Sequence, residues 1–246
     1  LSLEEKVRKD FKNKEESRVI PDWRACQIMP PNEAVRKQVK KNWDSIAKPL
    51  DGMGSFETLT AKIGAIQNTD DPKVKERAVL IFCADNGIVE EGMKSMARKH
   101  SSVGKMAKTA GADTLVVDIG VNTKERVEGV LSCKIRPGTR NFLKEPAMTE
   151  EETLAAIDTG IRLVRQCKEN GYALLATGEM GIGNTTTSSA VVAALLQKSS
   201  EEITGRGAGL SDEGLCRKRQ VIAQALEKYD LYHAKPFQIL QTVGGL

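Results

Sequence analysis

The sequence predicts an α/β fold: a Rossmann-like, mainly parallel sheet flanked by helices, with a small helical subdomain from the N-terminal region. Three observations carry this prediction. Residues 78–84 and 114–121 are apolar runs of strand length, each leading into a polar or glycine turn. Residues 172–176 form a third apolar run, followed by a glycine-rich turn and a helix starting at Asn184. Helical patterns separate these runs, and strands alternating with helices imply a parallel sheet whose crossovers are right-handed.

Residues 3–11 are a charged amphipathic segment, and Pro30-Pro31 breaks the next segment. Residues 32–47 resume the helical period, with Ala34, Val35, Val39, Trp43 and Ile46 on one side. Lys48-Pro49-Leu50-Asp51-Gly52-Met53-Gly54-Ser55 is a turn-rich loop, open to reading as a plain inter-helix turn or as a ligand contact. Ser55 is placed to cap a helix over 56–66. No strand pattern precedes residue 70, so residues 1–70 read as the helical subdomain and 71–246 as the α/β nucleotide-binding domain.

The run 78–84 is continuously apolar, which predicts cover on both faces. It ends in Asp85-Asn86-Gly87. Ligands of open α/β sheets gather at the carboxyl ends of strands, so Asp85 and Asn86 are either ligand contacts or simple Asx-turn residues. A helix is expected over 93–110, then the second buried strand at 114–121. Residues 122–148 lack periodicity, and the basic stretch at 134–141 either approaches a phosphate or is a solvated loop. Thr149 and Glu152 make a capping box for a helix that stops at Asn170-Gly171. Ser211 caps a helix over 212–229, and residues 236–246 read as a helix or strand meeting a glycine turn.

The chemistry concentrates in Gly178-Glu179-Met180-Gly181-Ile182-Gly183-Asn184-Thr185-Thr186. The strand before it reads as buried at 172–176. Glycines let the backbone come close to a ligand, and the helix N-terminus after them suits phosphate. Asn184, Thr185 and Thr186 add side-chain donors. Three glycines around a carboxylate exceed what a simple turn needs, yet the spacing is neither a Walker loop nor a dinucleotide fingerprint. Glu179 either serves a sugar hydroxyl or a proton, or is a solvated turn residue. A second anion loop is predicted at Thr204-Gly205-Arg206-Gly207-Ala208-Gly209, where arginine can hold an oxyanion bidentately. Lys218, about two turns into the next helix, has a stem long enough to swing back toward it.

Composition narrows the classes. The 246 residues are 40% hydrophobic and 28% charged, with a formal charge of +4 and 4% aromatics. That is a soluble globular chain, large enough for one sizeable core plus a small appendage, with few stacking platforms, which argues against a nucleic-acid partner. No apolar run approaches the ~20 residues of a membrane span, and Leu1-Ser2-Leu3-Glu4-Glu5-Lys6 shows no apolar signal core. Cys26, Cys83, Cys133, Cys167 and Cys216 are scattered without zinc or disulfide spacing, so no metal and a reducing cytoplasmic setting are expected. Cys83 and Cys167 read as small hydrophobes. His100 and His233 have no ligand set around them.

Three stretches together resemble one family. They are the glycine-rich Gly178-to-Thr186 motif, Ala84-Asp85-Asn86-Gly87-Ile88-Val89-Glu90-Glu91-Gly92, and the Gly205-Arg206-Gly207 loop with Lys218. The Lys48-to-Ser55 loop and Glu145-Pro146-Ala147-Met148-Thr149 are similar too. The family is nicotinate-nucleotide:dimethylbenzimidazole phosphoribosyltransferase, of the lower-ligand branch of cobalamin synthesis, and the resemblance covers roughly residues 44–246. It implies transfer of the phosphoribosyl group of nicotinate mononucleotide to a benzimidazole, giving α-ribazole 5′-phosphate and nicotinate, with no cofactor. It implies Glu179 as a catalytic carboxylate. It assigns nucleotide and phosphate binding to Gly178, Gly181, Gly183, Asn184, Thr185, Thr186, Gly205, Arg206, Gly207 and Lys218, and benzimidazole binding to Asp85, Asn86 and Gly87. It implies a homodimer in which the helical subdomain helps close the interface or the site. The segment after Gly92 is shorter than the family's, whose counterpart carries a glutamine for the base. The family's general-base glutamate comes after a Gly-Gly turn, which here is Gly244-Gly245-Leu246, the last three residues of the sequence. The alternatives are a phosphosugar transferase acting on another nucleotide and a non-catalytic benzimidazole or ribazole carrier.

Overall fold

A computed structural model describes Leu3, Glu5, Val7 and residues 27–91, 102–124, 127 and 129–246. The expected helix over 93–110 is described only in its second half, and Trp23, Cys26 and His100 lie outside the described residues.

Helix α1, Glu33–Asp44, is capped by Asn32, whose side chain accepts the N–H groups of Ala34 and Val35. It packs against α2, Ser55–Gln67, as a hairpin. The cap expected of Ser55 is not formed: Ser55 is already helical, Gly54 takes the cap position, and no side chain caps it. Instead the buried Glu57 carboxylate accepts the Met53 N–H at 3.0 Å and pairs with Lys48 at 2.8 Å and Lys40 at 3.1 Å. Trp43 donates its indole N–H to Thr60 and meets Phe56 edge-on.

The sheet comprises β1 (Arg77–Ala84), β2 (Asp113–Gly120), β3 (Leu131–Ser132) and β4 (Leu174–Met180) in the order β3-β2-β1-β4, with every pairing parallel. The chain after β1 first runs outward through α3, Ser102–Thr109, to β2 and β3, then returns to place β4 on the opposite side of β1. That reversal opens a crevice at the carboxyl ends of β1 and β4, where open α/β sheets bind ligands.

The third strand corrects the sequence reading. β4 is not a buried strand over 172–176 ending before the turn: it runs on through Gly178 and Glu179 to Met180, and most of its residues are exposed. Among the described residues its one neighbour is β1, so its outer edge lacks cover. Two residues of β3 were also invisible to periodicity, because they join the sheet only through β2.

Helix α4, Glu150–Glu169, has the expected capping box at Thr149 and Glu152. Its Leu163 and Cys167 pack on one sheet face with Leu80, Leu115 and Val117, and Leu3 and Val7 join that cluster rather than the α1–α2 hairpin. The other core joins α5 (Asn184–Leu196), α7 (Asp212–Lys228) and α8 (Pro236–Val243) around Phe142, Ile222, Leu226 and Leu231. A short helix, α6, Ser200–Ile203, carries an unforeseen capping box at Ser199 and Glu202.

Candidate active site

The glycine turn at 181–183 is made by contact with the end of β1. A Cβ on Gly181 would sit 2.1 Å from the Ala84 carbonyl oxygen and 2.8 Å from Glu179 Oε1, so only glycine fits there. Gly183 has φ +85°, in the left-handed region, and is the N-cap of α5 without any side-chain cap. No side chain therefore caps the start of α5, at the positive end of the helix dipole, and the Thr186 N–H turns back to the Gly183 carbonyl at 2.9 Å.

Lys218 ties the two glycine loops together. It is 1% exposed, and its Nζ donates to Thr185 Oγ1 at 2.9 Å and to the Gly205 carbonyl at 3.1 Å. Among the described residues no carboxylate pairs with it, and burial pulls its pKa below the ordinary lysine value. Gly207 packs directly on Thr185, since a Cβ there would lie 2.7 Å from Thr185 Oγ1. Thr185, Gly205, Gly207 and Lys218 thus meet where the two glycine loops join, with Asn184 beside them at the first turn of α5. Thr186, next along α5, is buried. Arg206 is placed differently: its guanidinium donates to the Leu210 carbonyl and pairs with Asp212, closing its own loop.

Glu179 stands opposite Phe82 in the β1–β4 register, at the mouth of the crevice. Its carboxylate accepts a hydrogen bond from Asn184 Nδ2. Burial of the carboxyl end raises its pKa, and the Asn184 bond works in the opposite direction. Desolvation is the larger of the two influences. Behind Glu179 a cavity of about 430 Å³ is walled by Phe82, Ile119, Met148, Ile157, Leu240 and Leu246. Gly178 and Thr177 reach it from β4.

Asp85, Asn86 and Gly87 all make bonds within the protein. Asp85 Oδ2 accepts the Asn122 N–H at 2.8 Å, Asn86 Nδ2 donates to the Ile182 carbonyl at 3.0 Å, and Gly87 N–H donates to Thr139 Oγ1 at 3.1 Å. Thr139 was not singled out in the sequence; its only signal was its place in the basic stretch. That stretch is a packed clasp rather than a solvated loop. Thr139 N–H bonds the Asp85 carbonyl, Arg140 pairs with Glu152 at 2.5 Å, and Lys134 reaches the buried Asp118 at 3.1 Å. Cys83 and Cys167 are buried as expected, and burial pushes the Cys83 thiol up to about 11, with Asp118 adding to it. His233 pairs with Asp230 on the surface. Among the described residues no group of histidine, cysteine or carboxylate side chains is arranged to hold a metal, and no helix is long and apolar enough to cross a membrane.

Comparison with known proteins adds independent findings. A sequence profile of a family described as phosphoribosyltransferase matches residues 28–246. A protein of Acetivibrio thermocellus named nicotinate-nucleotide–dimethylbenzimidazole phosphoribosyltransferase is 42% identical over 219 residues, covering 84% of this chain and 62% of its own. One of the same name from Geobacter sp. strain M21 is 39% identical, covering 90% of this chain and 67% of its own. The crystal structure of CobT from Thermus thermophilus is similar at 34% identity and a TM-score of 0.79, over 86% of this chain and 67% of that one. The chain spans a little under two thirds of the length of the first curated relatives it matches.

Proposed function

Because this chain belongs to the nicotinate-nucleotide–dimethylbenzimidazole phosphoribosyltransferase family, we propose that it transfers the phosphoribosyl group of nicotinate mononucleotide to 5,6-dimethylbenzimidazole in cobalamin nucleotide-loop synthesis. One observation carries the reading: a lysine buried without a counter-ion, Lys218, beside the uncapped start of α5. An unpaired buried cation is costly, and a 5′-phosphate there supplies the missing charge together with an acceptor for the α5 N–H groups.

With the phosphate there, the ribose extends toward Glu179. A benzimidazole nitrogen attacks C1′, the bond from C1′ to the pyridine nitrogen breaks, and its electron pair leaves on nicotinate, with inversion at C1′. Positive charge grows on the ribose ring as nicotinate departs, and the Glu179 carboxylate is placed to steady it. The azole must also lose its proton to a base. The Gly244-Gly245 turn, which the resemblance makes the approach to that base, supports this: Gly245 abuts Asn86 and Leu246 abuts Gly120 at the same strand ends. Asp85, Asn86 and Gly87 support the azole side chiefly by holding that rim.

Turnover decides the reading. Incubation with nicotinate mononucleotide and 5,6-dimethylbenzimidazole should release nicotinate and form α-ribazole 5′-phosphate. Turnover of a different nucleotide alone, or benzimidazole binding without any product, would replace this assignment by another transferase or by a carrier.

We also propose a homodimer. Phe56, Leu59 and Ile66 on α2 are 52%, 54% and 70% exposed, and Leu50 on the hairpin loop is 75% exposed. A patch of that kind fits a protein interface. Light scattering should give twice the monomer mass, and Leu59→Glu should halve it; a monomeric native protein would refute this. The free thiols of Cys83, Cys167 and Cys216 support a cytoplasmic location. Recovery from the secreted fraction would contradict that.

A further inference from the structure

Asn86 occupies the seam between three turns. It is 3% exposed. Its backbone N–H and its side-chain Nδ2 both donate to one acceptor, the Ile182 carbonyl, at 3.1 and 3.0 Å. Its own carbonyl accepts the Val89 N–H, which starts the 3₁₀ turn at Gly87–Glu91. Its Oδ1 is buried without a hydrogen-bond partner, and a Cβ on Gly245 would come within 2.7 Å of it. Gly183 closes on it from the other side, where an added Cβ would lie 3.3 Å from Asn86 Cβ.

Two donors on one carbonyl hold an entire peptide plane. In a trans peptide the C=O and the following N–H point in opposite directions. With the Ile182 oxygen held against Asn86, the Gly183 N–H must point the other way, away from Asn86. Gly183 can accept that orientation because its φ is +85°. We propose that Asn86 is a positioning residue for the anion site: its side-chain amide clasps the Ile182 carbonyl and so aims the Gly183 N–H at the substrate phosphate. This rests on the phosphate site proposed above. It assigns Asn86 an action through the turn, not a contact with the base.

Asn86→Asp and Asn86→Ala test it. The aspartate has the same shape but no side-chain donor, and it places an acceptor against the Ile182 oxygen. That repels the carbonyl and releases the peptide. Inorganic phosphate and nicotinate mononucleotide are titrated into the native protein, Asn86→Asp, Asn86→Ala and Lys218→Ala, with the Gly183 amide resonance followed by NMR and the melting temperature of each recorded. The native Gly183 amide should shift on adding phosphate. Asn86→Asp buries an unpaired carboxylate and should melt below native, so Asn86→Ala carries the binding readout: it should stay folded yet bind both ligands about tenfold more weakly, the scale of one aligned hydrogen bond to a charged group, and lose the Gly183 response. Native-like phosphate affinity in Asn86→Asp and Asn86→Ala, with Lys218→Ala weakened, would overturn the role of Asn86 and leave the phosphate site standing. Native-like affinity in all three variants, or no phosphate binding by the native protein, would remove the phosphate site and this inference with it.

Discussion

Lys218→Met separates the two things a buried lysine does. Methionine keeps most of the stem and volume of the 1%-exposed side chain and removes its charge. The bonds lost are those to Thr185 Oγ1 and the Gly205 carbonyl. Both acceptors belong to exposed residues and can turn to water, so little is left unsatisfied. The desolvation that lowers the lysine's pKa disappears as well. Folding stability should therefore stay within about 1 kcal/mol of native or rise, as when buried charges are replaced by apolar groups. Ligand binding should move the opposite way. A hydrogen bond to a charged group contributes about 1.5–3 kcal/mol, and at ~1.4 kcal/mol per decade that weakens phosphate and nucleotide binding about 10- to 150-fold. Calorimetric titration and thermal melts, with and without phosphate, measure both. The pH dependence has a definite sign. The folded pKa lies below the ordinary 10.5, so between the two values the unfolded chain binds more protons. The native protein should gain stability relative to Lys218→Met as pH rises through the folded value toward 10.5. Unchanged phosphate affinity, or a stability loss beyond about 3 kcal/mol, would refute the idea that Lys218 is kept for an anion.

Glu179→Gln should lower kcat more than it raises KM, by about 2–4 kcal/mol of barrier, since it keeps the shape and loses the charge; a normal kcat with only KM raised makes Glu179 a binding residue. Because burial raises the Glu179 pKa, ionising it costs folding stability, so the melting advantage of Glu179→Gln should grow as pH rises through that pKa and vanish in acid. Gly181→Ala drives a methyl to 2.1 Å from the Ala84 carbonyl; the turn must shift, and a loss of about 1–3 kcal/mol in stability is expected with impaired nucleotide binding, whereas native-like binding would show that the turn is loose. Glu57 is held at a pKa of about 2, first by Lys48, then by the Met53 N–H and Lys40. Its contribution should be full above the ordinary carboxylate value near 4.5 and fade as pH falls toward 2, so Glu57→Gln should melt lower than native at neutral pH and converge with it in acid; equal melts at pH 7 would exclude the pairing.

Local signals were mostly read correctly, the Ser55 cap excepted. The capping box at Thr149 and Glu152, the stop at Asn170-Gly171 and the Ser211 cap depend on residues within four positions of one another, and the structure has all three. The run at 78–84 became the central strand because an unbroken apolar stretch suits burial on both faces. The glycines at 181 and 183 mark a close backbone approach that no other residue allows, and they were legible for that reason. The same reasoning misjudged the strand before them. Leu174 and Leu175 look as buried as Leu80 and Ile81, but strand order put β4 at an edge, and order is not written in a strand's own composition.

The sequence thus specified the parts of the crevice: an α/β alternation, two glycine loops, a carboxylate between glycines and a lysine within reach. Tertiary structure alone decided their partners. It turned Arg206 back onto Asp212, buried Lys218 against Thr185 33 residues away, and set Asn86 on the Ile182 carbonyl 96 residues away. The last of these depends on the reversal that seats β4 beside β1. A loop's residues carry its chemistry, but which loop it faces is fixed by the packing of strands and helices far along the chain.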